Sequence, residues 1–295
     1  MISQGSARQD VSVEGVRLTV FTHRPAEDRG GLLMLFHGNS ANAEMLRDFA
    51  IPLSEACGVT VAAPLFDKRR FPPDRYQRGN ITDGRRRMRP SQQWTTRLVE
   101  PIVRQFHPSG DAPYWLWGFS AGAQFLSRVA AFQGFERAPQ RIVIVSPSTH
   151  VLPVLGRYPT GEAAPYGLGG AFPKPFGQAL QRRYLQRPIT LSVGLEDREA
   201  TDPSLSRSLA AKRQGSDRLA RATRTFNLAA MTALRLRCDF NWRIDLVPGV
   251  DHSAQAMLQP CRACQMLEMP AAAHLCPADP AAHVRKPAFG AADPA

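Results

Sequence analysis

The stretch from Ala112 to Phe132 constrains the fold of this chain more than any other. Tyr114-Trp115-Leu116-Trp117 is an apolar run without polar alternation, the pattern of a strand buried on both faces. Beyond it Phe125, Val129 and Phe132 recur at i, i+4 and i+7, one face of a helix packed back on a sheet. Between the two lies Gly118-Phe119-Ser120-Ala121-Gly122, a G-x-S-x-G turn with a serine at its corner. The glycines have a steric reason: a Cβ two residues before or after the serine would strike the neighbouring strand or helix. The strain held in such a turn pushes the serine hydroxyl out of the backbone.

The rest of the chain continues that alternation. Val11 to Thr22 alternates about Glu14-Gly15 and reads as an antiparallel hairpin. Leu32 to Phe36, Val59 to Pro64, Ile142 to Val145, Ile189 to Gly194 and Trp242 to Val247 read as further strands. Helices are expected over Ala43–Ala56, Trp94–Phe106, Phe176–Tyr184 and Asp217–Arg237. The loop from Phe66 to Pro90 is long enough to suggest a task. The Gly, Pro and aromatic-rich stretch Leu152–Phe176 reads as an excursion that walls a pocket. The expected architecture is α/β, a mainly parallel sheet with helices on both faces and an antiparallel N-terminal hairpin, with its ligand site at the carboxyl ends of the strands. One domain is expected over residues 1–269. Ala and Pro make up 15 of the 26 residues 270–295, which are expected to be a disordered tail.

Composition excludes several classes. No run of eighteen apolar residues exists, and Met1 to Val11 is polar, so the expectation is a soluble, unexported, cytoplasmic chain without membrane contact. Cys57, Cys238, Cys261, Cys264 and Cys276 are too few and scattered for a disulfide framework and favour a reducing compartment. Cys261, Cys264, His274 and Cys276 have a spacing that could hold zinc, but they border the low-complexity tail, and neither metal nor cofactor is expected. The net charge of +12 comes mostly from arginine, 33 of 37 basic residues, and is diffuse. Its densest clusters, Lys68-Arg69-Arg70 and Arg85-Arg86-Arg87 with Arg89, fall in a loop; they read as a solvated basic face, and nucleic acid is not an expected partner. Nothing here bears on the oligomeric state.

A serine hydroxyl needs a base to take its proton and a carboxylate to orient that base. His252, in a Pro-Gly-x-x-His turn after the final strand, is the candidate base for Ser120. His37 belongs to the corner after the Leu32 strand, His23, His107 and His274 are expected at the surface, and His150 is a candidate pocket residue. Four acids follow Gly194: Glu196, Asp197, Glu199 and Asp202. Asp197 is preferred because it needs less loop closure than Asp202, the alternative. The oxyanion donors would be the backbone N–H groups of Ala121 and Asn39, with Ser40 the alternative to Asn39.

Phe36-His37-Gly38, Ala62-Ala63-Pro64, Gly118-Phe119-Ser120-Ala121-Gly122 and Pro248-Gly249-Val250-Asp251-His252 together resemble the α/β-hydrolase superfamily over about residues 11 to 258. Within it they look like the polyhydroxybutyrate depolymerase and feruloyl-esterase-like branch, with dienelactone hydrolases more distant. The order Ser120, Asp197, His252 agrees with that superfamily. The resemblance implies hydrolysis of a small-molecule or oligomeric carboxylic ester through an acyl-enzyme, without cofactor. The chain departs from the dienelactone hydrolases, which carry a cysteine nucleophile. Secreted depolymerases carry an export signal and often a substrate-binding module, and neither is expected here. Thioesterase or peptidase chemistry on the same triad, and an idle scaffold that only binds, are the competing readings.

Overall fold

The computed structural model describes residues 2–107 and 112–269. Strands β1 (Gly5–Val13) and β2 (Val16–Arg24) pair antiparallel about Glu14-Gly15, both in left-handed backbone. The hairpin begins at Gly5, earlier than its apolar alternation suggests, because Ser6, Arg8 and Asp10 face water while their main chain still pairs with β2. Strands β3 (Gly31–Phe36), β4 (Val59–Pro64), β5 (Tyr114–Phe119), β6 (Arg141–Val145), β7 (Ile189–Gly194) and β8 (Arg243–Val247) follow. They form one sheet in the order β1-β2-β4-β3-β5-β6-β7-β8, parallel from β4 to β8, with β2 antiparallel to β4. Every residue of β3, β4, β6 and β7 is buried, so those strands read as continuous apolar runs.

The strand pleat divides the core. Leu32, Met34, Leu116, Ile144 and Leu191 face one side, packed with Ile102, Phe125, Leu180 and Ala229 from helices α3 (Val99–Phe106), α4 (Ala121–Phe132), α5 (Lys174–Gln186) and α7 (Arg218–Leu236). Leu33, Leu35, Trp117, Val143 and Val145 face the other, against α1 (Ala43–Phe49), α2 (Ile51–Cys57), α8 (Ala254–Met257) and α9 (Pro260–Leu267). Helix α6 (Leu209–Lys212) is a single short turn before α7.

The single helix expected over Ala43–Ala56 is two. Pro52 has no N–H for an intrahelical bond and its ring crowds the preceding turn, so α1 stops at Phe49 and α2 restarts at Ile51 with proline in its first turn. A short 3₁₀ turn, Thr95–Leu98, replaces the start of the Trp94–Phe106 helix, and another, Ser91–Gln93, precedes it. The whole of α4 is buried, Arg128 included. Its guanidinium donates to the carbonyls of Gln124 (3.0 Å) and Thr149 (2.9 Å) and to the Thr149 hydroxyl (3.0 Å), which offsets the cost of burying the charge. The excursion after β6 covers this helix: Val151 N–H donates to Ser127 Oγ at 2.9 Å, and the Tyr166 ring lies 5.6 Å from the Arg128 guanidinium. The tail, 270–295, lies outside the described residues. Among those described, no helix is long and apolar enough to cross a membrane.

Candidate active site

Ser120 links β5 to α4 with φ 52° and ψ −106°, a conformation that costs a non-glycine residue about 1–3 kcal/mol and persists only where its surroundings enforce it. The enforcement is visible at its glycines. A Cβ on Gly122 would lie 2.1 Å from the Phe36 carbonyl oxygen, and one on Gly118 would lie 2.6 Å from that of Gly122. Ser120 N–H is also tied to Val145 O at 2.9 Å. The turn therefore fits only because strand, corner and helix approach backbone to backbone.

Close approach also brings the histidine to the acid. A Cβ on Gly194, at the end of β7, would lie 1.9 Å from the Val250 oxygen, so the absence of a side chain lets the 248–252 turn rest on the β7 loop. Glu196 N–H donates to Val250 O at 3.0 Å and fastens the two. His252 Nε2 then lies 3.1 Å from Ser120 Oγ, and its Nδ1 lies 2.8 Å from Asp197 Oδ2. The imidazole rests against the Phe119 ring with centroids 4.5 Å apart. Of the four acids after β7, Asp197 is the one on His252. Burial raises the pKa of its carboxyl, but the hydrogen bond and charge of His252 and the charge of Arg218 outweigh that and hold it below the usual carboxylate value.

Asp202 turns instead to Arg218, whose Nη1 donates to Asp202 Oδ2 at 2.7 Å and to Asp197 Oδ1 at 3.1 Å. Some burial opposes ionisation of Asp202, yet the Ser204 N–H and hydroxyl and the Arg218 guanidinium bring its pKa down to about 2. Arg218 was not among the sequence candidates. One signal was available: it opens α7 directly after the N-cap Asp217, where the helix dipole disfavours a cation unless a carboxylate faces it.

The corner after β3 is built around a buried neutral imidazole. Phe66 N–H donates to His37 Nε2 at 3.0 Å, so the ring proton sits on Nδ1, which donates to Gly38 O at 2.8 Å. Burial lowers the His37 pKa to about 4, against the smaller upward pull of the Gly38 carbonyl. Tyr76 Oη donates to the His37 carbonyl at 2.9 Å, and Gln77 Nε2 to Asn39 Oδ1 at 3.3 Å. The early part of the long loop after β4 thus braces this corner. Gly38, Asn39 and Ser40 line a cavity of about 230 Å³ with Ser120 and His252; Met45, Leu46 and Phe49 of α1, with Phe119, form its apolar wall. Ala121 opens α4, so its N–H belongs to the helix's first turn, where backbone donors have no intrahelical partner.

No protein-family model matches the sequence, and no curated protein matches it. Solved structures do. The chain is 27% identical to poly(aspartic acid) hydrolase-1 of Sphingomonas sp. KT-1, with a TM-score of 0.77 over 89% of this chain and 98% of that one. It is 26% identical to LpqC, a poly(3-hydroxybutyrate) depolymerase of Bordetella parapertussis, with a TM-score of 0.76 over 92% and 94% of the two chains. The chain is an α/β-hydrolase. Within that fold it falls with the polyhydroxybutyrate depolymerase-like branch. The fluorophosphonate-binding serine hydrolase F of Staphylococcus aureus shares the fold at 14% identity, with a TM-score of 0.53 over 89% of this chain and 99% of that one.

Other expectations for this α/β-hydrolase need correction. His23 and His107 are buried, not at the surface: His23 bridges Ser6 Oγ (3.0 Å) and Glu55 (2.7 Å), and His107 Nε2 meets Ala112 O at 3.0 Å. Both have polar partners, exposed Ser6 and Glu55 for His23 and a main-chain carbonyl for His107, which a sequence does not display. His150 is buried away from the Ser120 cavity, where burial lowers its pKa to about 3. The excursion after β6 does wall a cavity, but not the one at Ser120: Leu152 and Tyr158 to Glu162 face α7 across a space of about 970 Å³. Cys261 is disulfide-bonded, so the cysteines of the hydrolase lend no support to a reducing compartment. Among the described residues no group of three or more His, Cys, Asp or Glu could hold a metal; His274 and Cys276 lie outside them.

Proposed function

We propose that this α/β-hydrolase cleaves carboxylic esters through an acyl-enzyme, with Ser120 as nucleophile, His252 as base and Asp197 as its orienting acid. What carries the reading is the hydrogen-bonded chain Asp197–His252–Ser120, with contacts of 2.8 and 3.1 Å, at the floor of a small cavity. As Oγ attacks the ester carbonyl, its proton passes to His252 Nε2, while Asp197 holds the imidazole tautomer and stabilises the cation. The developing oxyanion takes hydrogen bonds from the N–H groups of Ala121 and Asn39. His252 then protonates the departing alcohol and activates the water that releases the acid. No step calls for a cofactor.

The cavity also bears on the substrate. Its lining is apolar or neutral apart from His252, and about 230 Å³ lies below the usual 300–1,000 Å³ of drug-sized sites, which suits a short, uncharged acyl group such as a 3-hydroxybutyryl unit. Hydrolysis of poly(aspartic acid), the activity named for one similar structure, is the second reading, favoured by the arginines Arg198, Arg213 and Arg224 around the larger cavity. The deciding experiment labels the wild-type and Ser120→Ala chains with a fluorophosphonate, then compares p-nitrophenyl esters of increasing acyl length, 3-hydroxybutyrate oligomers and poly(aspartic acid). Labelling of the wild type alone, with fastest turnover of short neutral esters, is expected. A wild-type chain that takes no label is an idle scaffold, and cleavage of poly(aspartic acid) in preference to esters transfers the reaction to amides.

A further inference from the structure

Asp197 is held at both of its oxygens. Oδ2 faces His252, and Oδ1 accepts from Arg218 Nη1 at 3.1 Å. A carboxylate bonded through one oxygen can swing about its terminal torsion; bonded through both, it keeps Oδ2 aimed at the imidazole. The guanidinium that does this creates an electrostatic problem. The Arg218 side chain is 1% exposed and that of Asp197 2%, so the charge acts at close range with little screening. Left alone, it would cancel the carboxylate that the imidazolium relies on.

Asp202 removes the conflict. Its Oδ2 takes the same Arg218 Nη1 at 2.7 Å, while Arg218 Nη2 donates to Ser204 Oγ at 2.6 Å and Ser204 donates to Asp202 Oδ1 at 2.8 Å. Two carboxylates and one guanidinium leave a net charge of −1, what a lone acid would present to His252, with its direction fixed. Ser204 also lines the cavity at Ser120, so the network reaches the substrate's side of the site. The other charged groups on these elements are placed elsewhere. Glu196, Arg198 and Glu199 on the loop, Asp251 beside His252 and Arg224 on α7 are exposed, and Asp217 caps α7. Arg221 is spent on the carbonyls of Gly215, Ser148 and Ser206, and Asp245 on β8 accepts from Ser192 at 2.9 Å.

We propose that Arg218 and Asp202 are positioning residues for the Ser120–His252–Asp197 chain: Arg218 fixes the aim of Asp197, and Asp202 cancels the charge that this fixing introduces. The inference rests on the reading of Ser120 as nucleophile.

The test is the pH profile of kcat/KM on a short p-nitrophenyl ester, measured on the full-length chain as wild type, Asp202→Asn, Arg218→Met and the double variant. The acidic limb of such a profile reports the essential base of the free enzyme. Asp202→Asn leaves a positive charge uncancelled, so its limb is expected to move to lower pH by about half a unit or more. Arg218→Met removes that charge, and its limb is expected to move to higher pH, with kcat down about tenfold from the lost anchor. In the double variant both charges are gone, and the limb is expected to return close to the wild-type position. A purely structural salt bridge would lower the melting temperature of each variant and leave the limb in place. A limb that stays put or rises in Asp202→Asn, in protein that still takes fluorophosphonate stoichiometrically, overturns the proposal. That variant decides alone if Arg218→Met does not fold. A wild-type chain without any labelling overturns the nucleophile reading itself, and this inference with it.

Discussion

Ser120 follows β5 and Asp197 follows β7, two strands away in the same sheet, yet they are held in place by different means. At the serine the constraint is backbone against backbone: Gly122 and Gly118 leave no room for a Cβ, and a left-handed residue is trapped between strand and helix. At the acid the backbone is a loop, and the carboxylate is aimed by side-chain charges from Arg218 and, beyond it, Asp202. Steric fixing is rigid but tolerates almost no substitution. Electrostatic fixing permits a long loop, at the cost of burying an arginine that must itself be neutralised.

The largest expected effect tests the steric half. Ser120→Ala should lower ester kcat by about 10⁵-fold or more, with the melting temperature within about 2 °C of wild type, because alanine fits the same turn. Turnover above about one per cent of wild type would remove Ser120 from the chemistry.

The electrostatic half is probed by Asp197→Asn, for which a loss of about 10⁴-fold in kcat is expected from the wrong imidazole tautomer, against less than about tenfold for Asp202→Asn. A reversal of the two would give the orienting role to Asp202.

Gly122→Ala is the converse experiment on the elbow. A Cβ placed 2.1 Å from the Phe36 oxygen must displace main chain, and a destabilisation of about 3 kcal/mol or more is expected in urea unfolding. A cost under about 1 kcal/mol would show that the elbow is not fixed by backbone contact.

Acid separates the two halves by pH window. His37, which braces the corner facing the elbow, has its pKa lowered from 6.5 to about 4. The unfolded chain therefore takes up this proton first; the stability is complete above about pH 6.5 and is lost as the pH falls toward 4, by about 3 kcal/mol. His150, with its pKa near 3, adds to the same slope. Asp202 titrates at about 2 when folded against 3.8 ordinarily, so the acid loop weakens only below about pH 4. Urea midpoints at pH 7, 5.5 and 4.5 check this, and a flat profile there would show that His37 is not held neutral.

The smallest effect concerns the cavity wall. Met45→Ala should raise relative turnover of longer acyl esters a few-fold at unchanged fold, read from the p-nitrophenyl series. An unchanged chain-length preference would place the acyl group elsewhere.

That same contrast explains what could be read from the chain before folding. The elbow, the parallel strands and the places of Ser120 and His252 after strand ends are legible because steric demands write glycines and apolar runs at fixed local spacings, whereas Asp197 is separated from Glu196, Glu199 and Asp202 only by loop closure. Arg218, sixteen and twenty-one residues from the carboxylates it binds, leaves no such local pattern. Gly194 was visible only as the end of a strand. Its role depends on the Val250 carbonyl coming within van der Waals range, a fact of the third dimension. The buried places of His23 and His107 were hidden for the same reason, since a histidine is comfortable in a core only when partners exist there. Pro52, by contrast, was legible and its consequence for the helix was missed.

The break at Pro52 leaves a seam in the wall of the Ser120 cavity. Met45, Leu46 and Phe49 sit on a seven-residue segment with its own N-cap at Asn42 that packs on β2, β3, β4 and α8, while the neighbouring α2 packs on α9 and the same sheet. A substitution in the first segment therefore changes the wall of the Ser120 cavity while α2 keeps its own seat against α9. A single proline thus gives selection, or a designer, a short cassette in which to retune the wall of this cavity.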